Sequence, residues 1–474
     1  MRLAQLAALT ACLALSACAS ARKPDLTLPP TFEAPALPQA ESANLERWWV
    51  AFNDPDLTAL IDQALVSAPD ARSAAARLTE ARATARGALT SFLPQGEATG
   101  SAKRTESEQT EGQAINIPGF STSGRSDSYA ANFNVSWEVD LFGRFFAARR
   151  GARGDSAAAQ FAYQGTRASL AAAVADAYFQ ARGLAIQLED ARETARIRRS
   201  LYDVAQIRAE RGLAASSEAD RVAGELAQAE AQAAGLDAEL KAAKRSLLVL
   251  TGRGVDPLAS LPTPASVGEI PGVPQTVPGQ LLARRPDVRE AQARVDSAAG
   301  RLTYAQLAFL PTLKFTPGLG LSRAVQPGYE STTENWSIGG VVSVPVLNIP
   351  KLLYDLKAQD ARTEQAVIAY EKAVQTAFGE AESAMVRLDA DRRQVALLRD
   401  GEARAARAFE ASRVGYAQGL TDLQTALGAE QSWRATRSQY AAAQVQGLRR
   451  AVQTYKALGG GWPADGASTD NEAR

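Results

Sequence analysis

Few side chains in this sequence could carry out chemistry. Among its 474 residues there is no His, and the two Cys, Cys12 and Cys18, both lie close to the N-terminus. His is the commonest general base and metal ligand, and a thiol nucleophile or zinc site needs Cys in the folded body of the chain. Carboxylate or Ser/Lys chemistry remains, but no such constellation stands out. We therefore expect a protein that is not an enzyme and that needs no metal or cofactor.

Cys18 is the one residue with a predicted covalent modification. An apolar stretch at 3–15 follows Met1-Arg2, and it is too short to span a membrane, as is typical of a secretory leader. Leu15-Ser16-Ala17-Cys18 then resembles a bacterial lipoprotein signal box, which predicts cleavage after residue 17 and acylation of Cys18. The next residue is Ala19 rather than Asp, which favours the outer membrane. The alternative is a secretory leader with an incidental Cys.

Composition predicts an extended helical architecture. The chain has 52 Lys+Arg and 52 Asp+Glu, and this zero net charge argues against a nucleic-acid partner. Aromatic residues make up only 7% of the sequence, while long tracts are rich in Ala, Arg and Glu. Such tracts favour long helices that pack closely together.

The body of the chain is one unit written twice. Pro69-Asp70-Ala71-Arg72 recurs as Pro286-Asp287-Val288-Arg289, and Gly212-Leu213 recurs as Gly419-Leu420. We therefore predict a first repeat at 44–251, a Pro-rich linker at 252–278 and a second repeat at 279–457. Flanking them we expect a leader, a lipidated tether and a disordered tail, at 1–17, 18–43 and 458–474.

Each repeat is predicted to contain a helix, two strands, a very long helix and a last helix. The strands are expected at about 95–103, 129–140, 312–323 and 335–347. From Tyr129 to Val139 the odd positions are apolar and the even positions are mostly polar, which is the alternation of a strand with two different faces. Strands of about ten residues with one apolar face match transmembrane β-strands, so we expect the odd face to contact lipid.

Four strands cannot close a barrel, and lipid does not tolerate an open sheet edge. The chain is therefore expected to share its barrel with other copies of itself. Two chains would supply eight strands around a lumen packed with side chains, and three chains would supply twelve around a lumen that could be open. These arguments leave the number of chains open.

The long helices carry a heptad-like seam. The stretch from Phe145 to Ala209 has no Pro, and at about 1.5 Å per residue it would be roughly 95 Å long. Apolar residues follow a 4-3-4-3 spacing, which predicts side-by-side packing as in coiled coils. The seam residues are Val174, Tyr178, Ala181, Ala185 and Leu188 in the first repeat and Val374, Phe378, Ala381, Met385 and Leu388 in the second.

Several segments together resemble the outer-membrane factor family of bacterial efflux and secretion channels, in its OprM or NodT lipoprotein branch, which is TolC-like. One is the start of the second repeat, Leu281 to Arg289; another is the strand-to-helix stretch Val135 to Arg144; a third is the turn Gly415 to Leu420. The resemblance covers roughly residues 44–457. It implies an α+β membrane protein in which a long α-helical coiled-coil barrel continues from a transmembrane β-barrel, with four strands per chain and twelve in a trimer.

The same resemblance implies a function and partners. The expected function is that of the outer-membrane channel of a tripartite efflux system, which passively conducts drugs or other small molecules to the exterior. The expected partners are two further copies of the chain, a periplasmic adaptor protein, an inner-membrane pump of the RND type and outer-membrane lipid. The alternative is a periplasmic coiled-coil structural or adaptor lipoprotein, although adaptors usually have one hairpin rather than a doubled unit with membrane-length strands.

The resemblance also suggests where a periplasmic gate would lie. Family channels close this end with acidic side chains near the first Gly-Leu break, where this chain has Glu218 and Asp220. In the second repeat the candidates are Asp422 and Tyr416. Acidic positions of some members are here Thr425 and Gly428, so the family's ion-pair scheme is not reproduced in full.

Two further motifs have structural interpretations. Trp48-Trp49, followed by Phe52, is expected to pack the start of the first repeat against the helices. Arg284-Arg285, just before Pro286, could bind an anion, but an ion pair at the start of the helix is the preferred interpretation.

Overall fold

The structure is a computed structural model, and it describes residues 27–35, 37, 45–108, 124–213, 215–274, 278–326, 329–418, 420–421 and 423–461. The predicted lipidation site Cys18 and the gate candidate Asp422 lie outside these residues, as does the side chain of Tyr416. The described residues fall into two compact units. One comprises the described parts of 79–158 and 291–370, and the other those of 25–78, 159–290 and 371–474.

Eight α-helices are present in the described part of the chain, besides two 3-10 helices at Leu45–Phe52 and Leu258–Ser260. Four are short or of medium length: α1 (Pro55–Ser67), α2 (Pro69–Thr90), α5 (Pro278–Arg284) and α6 (Pro286–Leu307). The other four are long: α3 (Arg144–Glu210), α4 (Ser216–Leu250), α7 (Ile349–Ala417) and α8 (Leu423–Ala457). With 67 and 69 residues, α3 and α7 are each about 100 Å long. None of the described helices is long and apolar enough to cross a bilayer.

Six strands form one antiparallel sheet in the first unit. They are β1 (Gln95–Ser107), β2 (Gly124–Val139), β3 (Thr312–Phe315), β4 (Gly318–Gln326), β5 (Tyr329–Ser337) and β6 (Gly340–Ser343). The strand order is β5-β4-β2-β3-β6, and β1 pairs with β2 on its other side. The long central strand β2 therefore pairs with three other strands, β1, β3 and β4.

The strands predicted at 312–323 and 335–347 are each divided into two segments, which corrects the sequence-based expectation. Pro317 lies at the first break, where its missing N–H prevents a ladder hydrogen bond. The second break, at Ile338-Gly339, lies opposite the first. The backbone N–H of Thr316 donates to the carbonyl of Gly339 at 2.8 Å and the return bond is 3.3 Å, so the two breaks stay in register. In addition, β1 and β2 are longer than predicted, because they pair without interruption from Gln95↔Ser136 to Ser107↔Gly124.

Small residues allow α3 and α6 to approach closely in the first unit. A Cβ atom added at Gly154 would lie 2.6 Å from the backbone nitrogen of Ser297, and one added at Gly300 would lie 2.4 Å from that of Gly151. These distances leave no room for side chains, so the two helical backbones are in direct contact. Asp155 accepts hydrogen bonds from Ser297 and Arg301 at 2.6 Å each, which fixes the crossing.

The helical unit has its hydrophobic core where the seam residues meet the two ends of the described chain. All five seam residues of α3 are buried, and so are four of the five in α7. The fifth, Phe378, is half-buried and stacks on Phe32, with ring centroids 5.5 Å apart. Because Phe32 belongs to the segment predicted as a tether, at least this part of it packs against the helices.

The end of α8 also departs from expectation. The sequence predicted a disordered tail from residue 458, but Leu458 is fully buried and the backbone N–H of Gly461 donates to the carbonyl of Leu45 at 2.7 Å. Gly459 and Gly461 have φ values of 82° and 117°, a region open to glycine. These two residues turn the chain back into the core, so the ordered body extends to residue 461.

Candidate functional site

The first candidate surface is the sheet, whose register separates two kinds of face. Phe133 of β2 lies opposite Ala98 and Leu319, and Trp137 lies opposite Phe315. Directly paired residues point to the same side of a sheet, so these side chains form one apolar face. Phe133 is 47% exposed and Leu319 is 61% exposed, although both are large and apolar. An apolar face left open in this way needs a covering partner.

The opposite face is polar and contains two short rows of amides and glycines. Asn132 and Asn335 flank Gly320 in the register, and their Oδ1 atoms would lie 2.8 and 2.3 Å from a Cβ added at Gly320. Asn134 lies opposite Gly318, where its Oδ1 atom would be 3.1 Å from an added Cβ. A side chain at Gly320 would push the flanking amides aside, whereas glycine lets them lean over the backbone. This face presents hydrogen-bonding groups.

The apolar face of β2 ends at a charged residue on one side and at the end of the strand on the other. Beyond Tyr129 the same face carries Asp127, which accepts two hydrogen bonds from Arg104 at 2.7 and 3.1 Å. In the neighbouring strands the charges begin sooner, because Arg323 lies opposite Tyr129 and Glu334 lies opposite Leu321. At the other end β2 stops at Val139. The ten steps from Tyr129 to Val139, at about 3.3 Å each, span roughly 33 Å along the strand, or roughly 25 Å at the usual tilt of membrane barrels. Along β2 this height matches the apolar band of outer-membrane barrels, whereas the band is shorter in β4 and β5.

Asp140 joins the sheet to α3. Its two carboxylate oxygens accept hydrogen bonds from the backbone N–H groups of Gly143, Arg144 and Phe145 at 2.8–2.9 Å, and these are orphan donors of the first turn. The side chain of Arg144 also reaches Glu138 at 3.0 Å and the hydroxyl of Tyr304 at 2.9 Å. These contacts fix the direction in which the helix leaves the strand. The acidic and basic residues of the stretch 135–144 are therefore structural.

The second candidate surface is the turn between α3 and α4, where the sequence places Glu218 and Asp220. Gly212 has a φ of 71°, and the backbone N–H of Leu213 donates to the carbonyl of Arg208 at 2.8 Å, which is a glycine-terminated helix end. Both carboxylates are exposed in the first turn and a half of α4. Within the described residues neither forms an ion pair or a side-chain hydrogen bond. They are therefore free to interact with ions or with another chain.

The matching turn in the second repeat has the same backbone bond. The N–H of Leu420 donates to the carbonyl of Gly415 at 2.8 Å, and the hydroxyl of Thr421 donates to the carbonyl of Ser412 at 3.2 Å. Asp422 and the side chain of Tyr416, the candidates at this turn, lie outside the described residues. Leu213 and Leu420 are 67% and 77% exposed, so each turn presents one apolar side chain.

Sequence reasoning missed an ion-pair ladder that joins α3 to α4. Arginines of α3 meet carboxylates of α4 at three levels: Arg198 with Glu225 at 2.8 Å, Arg192 with Asp237 at 2.8 Å, and Arg199 with Glu230. Glu225 and Asp237 each take a second cation from α4 itself, Arg221 and Lys241. A shared carboxylate makes a network, which holds better than an isolated surface pair.

The hairpin of α7 and α8 has an ion pair, Arg450 with Asp391 at 3.3 Å, and adds an aromatic contact. Trp433 stacks on Phe409 with ring centroids 5.3 Å apart, and its indole N–H donates to Glu402 at 2.8 Å. The guanidinium of Arg434 lies 5.6 Å from the Trp433 ring, within the range of a cation–π contact. A single Trp in an Ala-rich helix was the only sequence signal for this contact.

Between α3 and α8 there is a half-buried carboxylate. Asp190 pairs with Arg437 at 3.3 Å through one oxygen, while its Oδ2 atom makes no hydrogen bond within the described residues. Burial raises the pKa of Asp190, and the nearby guanidiniums of Arg437 and Arg434 only partly offset this effect.

The expected ion pair before α6 is confirmed. The guanidinium of Arg285 donates to Asp287 at 2.7 and 3.0 Å and to Glu380 at 2.7 Å, and it also reaches the carbonyl of Ala457. Since its donors are used within the chain, Arg285 is a poor candidate for binding an external anion. Among the described residues, no group of three His, Cys, Asp or Glu side chains could hold a metal ion.

Comparison with known proteins assigns the family. The sequence profile described as Outer membrane efflux protein matches residues 60–253 and 277–460. The chain belongs to this family of outer membrane efflux proteins. Its members are channels rather than enzymes, and this protein is located in the outer membrane. The alternative of a periplasmic adaptor lipoprotein is thereby set aside.

Relatives of this outer membrane efflux protein are similar over nearly their whole length. It is 30% identical over 465 residues to the pyoverdine export outer membrane protein OpmQ of Pseudomonas putida, with 96% of each chain covered. It is 25% identical to the cation efflux system protein CusC of Escherichia coli, over 95% of this chain and 99% of that protein. Among solved structures, the outer-membrane channel OprN is 26% identical with a TM-score of 0.76, covering 94% of this chain and all of that one.

Proposed function

We propose that this chain is the outer-membrane channel subunit of a tripartite efflux system, which conducts drugs or other small molecules passively from a periplasmic adaptor and an inner-membrane pump to the exterior. The observation that carries the proposal is the sheet with one exposed apolar face and one amide-rich face. Lipid would cover the Phe133 face, and water with its solutes would wet the Asn132 and Asn134 face.

Open sheet edges support a shared barrel. Within the described residues β1 pairs only with β2, β5 only with β4, and β6 only with β3. The outer edges of these three strands therefore have unpaired backbone groups, which the hydrocarbon region cannot satisfy. Pairing with further copies of the chain removes the edges. We favour a homotrimer, because twelve strands leave room for an open lumen while eight would fill with side chains.

A wall of this kind is suited to many solutes. Amide and hydroxyl groups offer both donors and acceptors without a net charge, so they solvate polar solutes without strongly selecting one. The pyoverdine and cation systems named among the relatives are unlike each other in cargo. The cargo class would then be chosen by the pump, for which we propose the RND type, and delivered through the adaptor.

The periplasmic end is proposed to close near the turn between α3 and α4. In a trimer, Glu218 and Asp220 of three chains would approach one axis, and like charges at close range repel. Such a ring would not hold the channel shut alone, but it would attract cations into the mouth. Asp422 and Tyr416 stay candidates for the contribution of the second repeat. We also propose that Cys18 is the lipidated mature N-terminus.

Channel activity is tested with purified protein in planar bilayers, together with gel migration of unheated and heated outer-membrane fractions. We expect discrete conductance steps and a trimer band that heating converts into a monomer band. A protein that migrates as a monomer without heating and gives no conductance would contradict the proposal. A monomer that binds the pump's adaptor without conducting would instead indicate a structural lipoprotein.

A further inference from the structure

We propose that a cationic cleft on the first turns of α3 binds the phosphate group of an anionic phospholipid on the periplasmic side of the membrane. The cleft has a volume of about 360 Å³ and lies between α3 and α6. Its charged lining consists of Arg149, Arg150, Arg153 and Asp296. The proposal rests on the proposed function, because it assumes that the apolar face of the sheet lies in lipid.

The cleft has a net positive charge, with three arginines and one aspartate in its lining. Arg150 pairs with Asp296 at 3.4 Å, and both side chains are 58% exposed. Within the described residues the side chains of Arg149 and Arg153 form no ion pair or hydrogen bond. Two guanidiniums are therefore free, and their planar arrays of N–H donors match the oxygens of a phosphate group.

The floor of the cleft is fixed before any ligand arrives. Gly154 forms part of the lining, and at this point the backbones of α3 and α6 are in direct contact. The bonds of Asp155 to Ser297 and Arg301 hold the two helices at this crossing. A preformed cleft loses less conformational entropy when it binds a ligand.

The surroundings of the cleft fit a lipid rather than a soluble anion. Leu141, Phe142 and Phe146 are exposed just before the arginines, and Phe146, at 68% exposure, also lines the cleft. Apolar side chains beside cations are typical of the membrane–water interface, where acyl chains and headgroups meet. Arg149 and Arg153 lie about 8 and 14 Å along the helix from Arg144, which is the depth of the headgroup region if the hydrocarbon ends near Val139.

The site is particular to the first repeat. At the offset of 207 that relates the two long helices, Arg149 corresponds to Leu356 and Arg153 to Asp360. A trimer would therefore have three clefts rather than six. The arginines are also not needed for the repeat framework, since the second repeat folds without them.

The test uses the full-length trimer in nanodiscs of equimolar phosphatidylglycerol and phosphatidylcholine, followed by native mass spectrometry of the released protein. We expect the wild type to retain phosphatidylglycerol in preference, with up to three molecules per trimer. The double variant Arg149→Gln/Arg153→Gln should lose this preference by about fivefold for each arginine removed. The matched control is Arg208→Gln/Arg211→Gln, which makes the same charge change at the other end of α3, where both side chains are also exposed and unpaired within the described part of the chain.

The outcomes test lipid binding at the cleft separately from the proposed channel function. If both double variants retain as much phosphatidylglycerol as the wild type, or lose it equally, the cleft is not the site. If inorganic phosphate displaces the lipid at millimolar concentration, the ligand is a free anion and the lipid proposal is wrong. The heat-modifiable trimer band and the conductance of the same preparations test the channel itself, so a failure of the proposed function is seen independently.

Discussion

Trp48 stacks on Tyr455, with ring centroids 5.7 Å apart and ring planes 18° from parallel. The pair joins the start of the first repeat to the last turn of α8, and both side chains are almost completely buried. The hydroxyl of Tyr455 donates to the carbonyl of Gly272 in the linker at 2.5 Å. Three segments that are distant in sequence are therefore held by two rings.

The variant Trp48→Ala is expected to destabilise the protein by about 3–5 kcal/mol, because it leaves a large cavity beside Tyr455. The measurement is the temperature at which the oligomer band converts to the monomer band, together with thermal unfolding by circular dichroism. Val255→Ala is a suitable control, since Val255 is 98% exposed. Equal stability of the Trp48 and Val255 variants would contradict a structural role for the stack.

Tyr455 predicts a dependence on alkaline pH. Burial raises its pKa to about 12 from the ordinary value of 10, and the positive charge of Arg392 only partly offsets this. Because the pKa of Tyr455 is higher in the folded than in the unfolded protein, the neutral side chain contributes its full stabilisation of the fold below pH 10. This contribution is lost as pH rises through about 12. The variant Tyr455→Phe cannot ionise at this position. The amount by which its free energy of unfolding falls short of the wild-type value should therefore shrink between pH 9 and pH 11. Unfolding measured at several pH values tests this, and a constant deficit would contradict it.

The two faces of β2 predict opposite tolerance to charge. Val135→Arg or Phe133→Arg is expected to cost about 2–4 kcal/mol if these residues lie near the bilayer midplane. Asn134→Arg should be tolerated, because its side chain would face water. The measurement is the amount of heat-modifiable trimer in outer-membrane fractions. The opposite ranking, with Asn134→Arg disruptive and Val135→Arg harmless, would show that the faces are assigned the wrong way round.

The periplasmic end is tested by conductance. Glu218→Ala should lower the preference for cations over anions and weaken block by divalent cations, because it removes a carboxylate that has no partner among the described residues. Glu193→Ala is the control, since Glu193 is paired with Arg196 at 2.6 Å and lies far along α3 from the turn. If selectivity changes with Asp422→Ala and not with Glu218→Ala, the acidic site belongs to the second repeat.

Lipidation of Cys18 is tested by metabolic labelling with a fatty acid. The wild type should be labelled and Cys18→Ser should not, because Cys12 lies in the segment predicted to be removed. The variant should stay largely in the membrane fraction, since the barrel holds it there and one acyl chain gives only marginal binding. Equal labelling of both proteins would contradict the assignment.

The faces of the central strand and the buried seam could be predicted from the sequence, because each depends only on local periodicity. Val174 and Leu388 are buried as the 4-3-4-3 spacing indicated. The break at Pro317 could not be predicted from alternation alone, because Leu313, Phe315, Pro317 and Leu319 keep the same parity through it. Parity describes where side chains point, whereas a ladder hydrogen bond depends on a backbone N–H that Pro lacks.

The contacts that join the two helices of each hairpin could not be predicted either, and the reason is different. Whether Arg198 meets Glu225 depends on how far each helix is rotated and shifted against the other, and their own sequences do not encode this as a period. The same holds for Trp433 and Phe409, which meet across two helices. The position of Glu218 beside a turn could be predicted, because Gly212 signals the end of α3 in the sequence itself. Its exposure follows from the geometry of a helix end.

The two hairpins repeat one backbone plan but differ in how much of their contact is between charges: in the described part of the chain α3 and α4 are joined by three ion pairs, whereas α7 and α8 are joined by the pair Arg450–Asp391 and by the ring contact of Trp433 with Phe409. Charge attraction between Arg198 and Glu225 is screened by salt and vanishes when the carboxylate is protonated, whereas the ring contact between Trp433 and Phe409 is affected by neither. A chimaera carrying two first hairpins should therefore lose more stability as ionic strength rises than the natural chain, whose second hairpin is held partly by aromatic rings.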